Sequence, residues 1–73
     1  MKRRVIRNST MLKTYPNGLD IRNLLRNEVV IPTGESHQSK GKQWIEVTVQ
    51  HGPALTGYVL KEDTEEISKK GGF

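Results

Sequence analysis

From residue 43 to residue 60 the chain reads QWIEVTVQHGPALTGYVL, and its apolar and polar positions alternate. Ile45, Val47 and Val49 share one phase of a two-residue period, and Trp44, Glu46 and Thr48 share the other. That period belongs to a strand with one buried face. It also sets the only tryptophan on the side opposite the aliphatic stripe. Shorter runs of the same kind, separated by turn residues, predict further strands. TMLKTY is the first, and it ends where Pro16 and Asn17-Gly18 supply turn geometry. In LDIRNLL, the segment LDIR is expected to be extended and NLL to be an irregular loop, with a turn at Arg26-Asn27. EVVIPT is expected as a strand stopped by Pro32, which cannot donate to a ladder. The polar stretch GESHQSKGKQ, residues 34–43, then reads as the longest loop and so as a binding loop. WIEVTV and YVL follow as strands joined through QHGPALTG. KEDTEEISKKGGF closes as a short helical turn, with Asp63 or Thr64 as its N-cap and Gly71-Gly72 as its stop. The expected fold class is therefore all-β, with about five strands and Leu19, Ile21, Val30, Ile45, Val47 and Val59 as its buried centre.

Size and composition limit what such a fold can do. A chain of 73 residues buries roughly 60% of its unfolded surface and has no room for a deep cavity as well. Function is expected on the surface. The absence of cysteine removes disulfides, thiolate metal sites and a cysteine nucleophile. The basic start MKRRVIRNSTMLK leads into no apolar run of the kind a signal peptide needs, and no stretch approaches the roughly 20 apolar residues of a membrane span. The expectation is a soluble chain without a membrane span; its compartment stays open, with the missing signal peptide and the missing cysteine favouring the cytoplasm. Its net charge of +4 is unevenly placed. Residues 1–27 carry seven Lys or Arg against one acid, and residues 28–73 carry five against seven acids. Residues 1–10 read as a basic arm, either flexible or joined to a sheet edge through Val5 and Ile6. Residues 11–67 read as the folded domain, and residues 68–73 as a tail.

The order of features resembles bacterial Src-homology-3-type (SH3-like) domains. It is carried by Leu19-Asp20-Ile21-Arg22, Val29-Val30-Ile31, Gly34-Glu35-Ser36, Trp44-Ile45-Glu46-Val47 and Gly57-Tyr58-Val59, over about residues 19–60. Asp20 stands where that family usually has Asn, only five residues follow Arg22 before the next strand, and the charged KEDTEEI replaces an aromatic-Leu pair. The resemblance implies a small, strongly bent SH3-like barrel of five strands. It also implies a shallow groove between the loops that binds peptides, cell-wall fragments or partner proteins.

Two accounts of Trp44 follow. In one, its ring is a lid over the open end of the core. In the other, it stacks on a ligand with Tyr15 and Tyr58, because aromatic side chains serve as anchors at interfaces. The corresponding function is a non-catalytic binding module for a protein, peptide or cell-wall ligand. Tyr15, Trp44 and Tyr58 would form its groove, and His37 and Gln43 would contribute from the 34–43 segment. An alternative from another class is nucleic-acid binding by Lys2, Arg3, Arg4, Arg7, Arg22 and Arg26. A third is a regulatory or structural subunit that adds an edge strand to a partner. No catalytic, metal or cofactor site is expected. His37 and His51 lie in expected loops without an acidic partner motif, and the serines occupy turn-like surroundings. Glu62, Asp63, Glu65 and Glu66 lack the spacing of a calcium loop and read as solvated acids.

Overall fold

The alternating Val, Ile and Thr positions do form strands. In the computed structural model, which describes residues 2–67, seven strands and one short 3-10 helix follow one another. They are β1 (Arg3–Val5), β2 (Ser9–Lys13), β3 (Asp20–Leu25), β4 (Val29–Ser39), β5 (Lys42–Val49), β6 (Thr56–Leu60), the 3-10 helix Lys61–Asp63 and β7 (Thr64–Glu66). All pairings are antiparallel, in the spatial order β3-β2-β6-β5-β4-β1-β7. The fold is all-β, as the pattern predicts. It has seven strands rather than about five, because two three-residue strands at the ends of the chain also join the sheet.

This sheet cannot be flat. Strands β3 and β1 lie five steps apart in the order, which in a flat sheet would separate them by about 24 Å. Yet Leu24 of β3 and Val5 of β1 share one core with Leu12, Val30, Ile45, Val47, Val49 and Val59. The sheet therefore curls until its inward phases meet. The Thr10 hydroxyl of β2 donates to the Asp63 carboxylate at 2.6 Å, and Asn27 N donates to Val5 O at 2.8 Å across the same gap.

Several expectations are corrected here. Residues 3–5 are neither a flexible arm nor an edge strand: β1 pairs with β4 on one side and β7 on the other, and Val5 is fully buried. An alternation too short to be legible becomes a strand because two neighbours supply its hydrogen bonds. NLL is not a loop. It completes β3, and Leu24 fills the core while Leu19 is 76% exposed. A β-bulge accounts for the exchange: Lys13 pairs with Asp20 but Leu12 with Arg22, so Ile21 is an extra residue and packs against the core.

The polar segment 34–43 is not a loop either. β4 runs past Pro32, passes an irregularity between Pro32 and Ser36, and then pairs Ser36–Ser39 with residues 42–45 of β5. Pro32 and Gly34, with φ +105°, fall at that irregularity, where a missing donor and a positive φ are tolerated. The arm is closed by Lys40 and Gly41, with φ +51° and +79°, the pair of left-handed residues that a type I′ hairpin turn requires. Finally, the helical turn lies three or four residues earlier than expected, at Lys61–Asp63 with Leu60 as its N-cap, and Thr64–Glu66 is strand. The expected stop at Gly71-Gly72 and the tail 68–73 lie outside the described residues.

Candidate functional site

On β5 the inward residues Ile45, Val47 and Val49 belong to the core, and Trp44, Glu46 and Thr48 take the outer phase. The pairings extend that outer face sideways. His37 lies opposite Trp44 on β4, and Leu60, Tyr58 and Thr56 lie opposite Trp44, Glu46 and Thr48 on β6. His37 and Tyr58 thus rise from strands on either side of β5, whose backbones are separated by about 10 Å. Their ring centroids are only 5.5 Å apart, so both rings lean over β5.

A third ring comes from the connection between β2 and β3. There Gly18 N donates to Tyr15 O at 2.7 Å, with Pro16 second and Asn17 third at φ +63°, a type II arrangement. The turn delivers Tyr15 to both other rings, with centroids 5.1 Å from His37 and 5.5 Å from Tyr58. Interplanar angles of 53–64° make these tilted or edge contacts, the arrangement aromatic quadrupoles prefer. Asn17 Nδ2 donates to Ser39 Oγ at 2.8 Å, which ties the turn to the β4–β5 arm. Tyr15 Oη lies 3.4 Å from His37 Nε2.

Exposure divides the cluster. Tyr15 is 53% exposed and Tyr58 only 6%. Burial pushes the Tyr58 phenol above its ordinary value; the Glu46 and Glu35 carboxylates raise it further, as does Tyr15. Glu46 faces Tyr58 directly across β5 and β6, and its Oε1 accepts a 2.7 Å hydrogen bond from the Thr33 hydroxyl.

The residues expected at a ligand groove therefore separate. Tyr15, His37 and Tyr58 come together. Trp44 is 6% exposed, on the outer face beside His37 and Leu60, and it is not part of the core cluster. Its ring is covered rather than offered as a platform. Gln43 lies on the opposite phase and borders a depression of about 390 Å³ with Arg3, Gly41, Lys42, Lys61 and Glu62. Glu46, Glu35 and Thr33 were not anticipated. Glu46 was legible as an outward residue of the Trp44 strand, but its pairing with Tyr58 was not.

The basic residues are largely engaged within the fold. Arg3 donates to the hydroxyl and carbonyl of Thr64, and Arg26 to Asn8. Arg4 pairs with Glu65, Arg7 with Asp63 and Arg22 with Glu28. Lys2 is exposed. Five of the six bases expected at a nucleic-acid surface thus have a partner within the fold. Asp63, expected as a solvated acid, is buried: one oxygen accepts from Arg7 and the other from Thr10. Among the described residues no three His, Asp or Glu gather as a metal site, and no helix is long and apolar enough to cross a membrane. Comparison of the chain with protein-family models, with curated proteins and with solved structures found no match in any of the three.

Proposed function

We propose that this chain is a non-catalytic binding module of SH3-like type that holds a protein or peptide ligand on the outer face formed by Tyr15, His37 and Tyr58. The observation that carries this reading is the convergence of three rings from three separate segments, outside the hydrophobic core, with one ring more than half exposed. Rings with exposed faces and fixed positions lose little entropy on binding, which is why Tyr recurs as an anchor. The curled all-β sheet supports the SH3-like part of the reading, which otherwise rests on the sequence resemblance. A cell-wall peptide is one ligand of this class.

The test is selection of ligands from a random peptide library and from muropeptides, followed by titration of the best binders. Tyr15→Ala and His37→Ala should each weaken binding by about tenfold or more, the effect of removing an interface anchor, with the fold intact by near-UV dichroism. The salt dependence should be shallow, because aromatic burial is barely screened. Ligands whose affinity survives both substitutions in the folded protein would remove the aromatic face from the function.

A further inference from the structure

The ring cluster has an electrostatic setting that narrows its ligand. The chain carries eight acids. Five of them, Asp20, Glu28, Glu62, Asp63 and Glu65, are in ion pairs. Among the described residues the remaining three, Glu35, Glu46 and Glu66, have no cationic partner within salt-bridge distance. Two of those three flank the rings. Glu46 lies in register with Tyr58, and Glu35 sits in the β4 irregularity that precedes the ring-bearing arm. In a protein of net charge +4 with twelve Lys and Arg, two carboxylates without a salt-bridge partner among the described residues lie beside the exposed Tyr15 ring, and the base in register with Tyr58, Lys13, is held by Asp20.

Resting on the binding-module reading above, we infer that the occupant of this face is a lysine or arginine side chain of a partner peptide or protein, seated between the Tyr15 ring and the Glu35 and Glu46 carboxylates. The rings supply a negative quadrupole face to a cation. The carboxylates supply the counter-charge, and the Thr33 hydroxyl holds one Glu46 oxygen in place while leaving the other to the ligand. Besides burial, the same two carboxylates raise the Tyr58 phenol. An acidic or phosphorylated ligand is repelled by the same groups.

Four capped tripeptides decide the matter: Gly-Lys-Gly, Gly-Arg-Gly, Gly-norleucine-Gly and Gly-Glu-Gly, titrated against the full chain while the ring resonances of Tyr15, His37 and Tyr58 are followed. The two cationic peptides should shift those resonances and bind about two- to fivefold more tightly than the norleucine peptide, the range expected for a cation at a partly exposed ring. The Glu peptide should not bind. Glu35→Gln with Glu46→Gln should erase the preference; both substitutions keep side-chain shape, and the amide oxygen introduced by the second still accepts from the Thr33 hydroxyl. Equal binding of the lysine and norleucine peptides overturns the cationic assignment and leaves the aromatic site standing. If no peptide shifts the rings, both readings fall. An undiminished lysine preference in the doubly substituted chain overturns the role of the two carboxylates. Ring shifts that depend on protein concentration without peptide would assign the face to a second copy, against the inference.

Discussion

At the scale of single residues, the contacts that matter most are those where one atom too many, or one charge too few, has no room to relax. Gly57 is the sharpest case. It lies on the inward phase of β6, and a Cβ there would stand 2.6 Å from Lys13 O and 2.8 Å from Ile21 Cδ1. The first neighbour is backbone, so β2 itself must move. Gly57→Ala should cost about 1–3 kcal/mol, the usual range for overpacking, as measured by chemical denaturation. Tyr58 supports a prediction about pH. Its phenol is raised in the folded chain, so the neutral form is favoured by folding; the associated stability is fully present below the ordinary tyrosine value of about 10 and is lost as pH rises through the higher folded value. An ultraviolet titration should therefore show a phenol ionising late, and that component should disappear in Tyr58→Phe and move down in Glu46→Gln.

At the scale of elements, the two shortest strands hold the barrel shut. β1 and β7 have three residues each, too few to persist alone, and they are fixed by side chains that cross the seam. Asp63 accepts from Thr10 and Arg7 while its backbone carbonyl accepts from Ile6 N at 2.9 Å, so one residue of the 3-10 helix binds β2 and the β1–β2 connection together. Asp63→Ala leaves the buried Thr10 hydroxyl unpaired and should cost about 1–3 kcal/mol. Val5→Ala should cost about 2 kcal/mol, because the side chain is fully buried, whereas Lys2→Ala should stay within about 0.5 kcal/mol. Thermal denaturation of the three variants side by side checks all three values. Equal, small losses would mean that β1 contributes nothing to closure.

For the whole molecule, the distribution of charge decides which surfaces can act. The excess of bases in the first third reads as an electrostatic footprint along the sequence. Folding brings the acids of the last third against it: Arg4 meets Glu65, and Arg7 meets Asp63. The first of these pairs is half exposed on both sides and contributes little stability. Its effect is to set a counter-charge beside a base that remains half exposed. Binding to duplex DNA at physiological salt is accordingly expected to be weaker than about 1 µM, the tight end of non-specific binding, with a log-log salt slope well short of six neutralised phosphates. Fluorescence anisotropy over a salt series measures both quantities, and micromolar or tighter binding would restore the nucleic-acid reading.

What was legible in the chain, and what was not, follows from the range of the interactions involved. Alternation over Ile45, Val47 and Val49, the turn chemistry of Pro16-Asn17 and Arg26-Asn27, and the all-β class are local properties, readable because strand period and positive-φ preference act within a few residues. Burial of Val30, Ile45, Val47 and Val59 followed from the same period. Leu24 and Leu19 exchanged places because the bulge at Ile21 shifts the register by one residue, and a shift of one residue reverses the faces. Only pairing with β2 reveals it. The outer part of the arm, residues 36–43, had no apolar stripe to betray it, since both its faces are polar; it is a hairpin because a type I′ turn and cross-strand hydrogen bonds suffice. The aromatic residues were visible one by one, but their meeting was not. Tyr15, His37 and Tyr58 are brought to one face by two turns and by the curl of the sheet, and Glu35 and Glu46 beside them, without a salt-bridge partner among the described residues, emerge only once the other carboxylates have met their bases or been placed elsewhere.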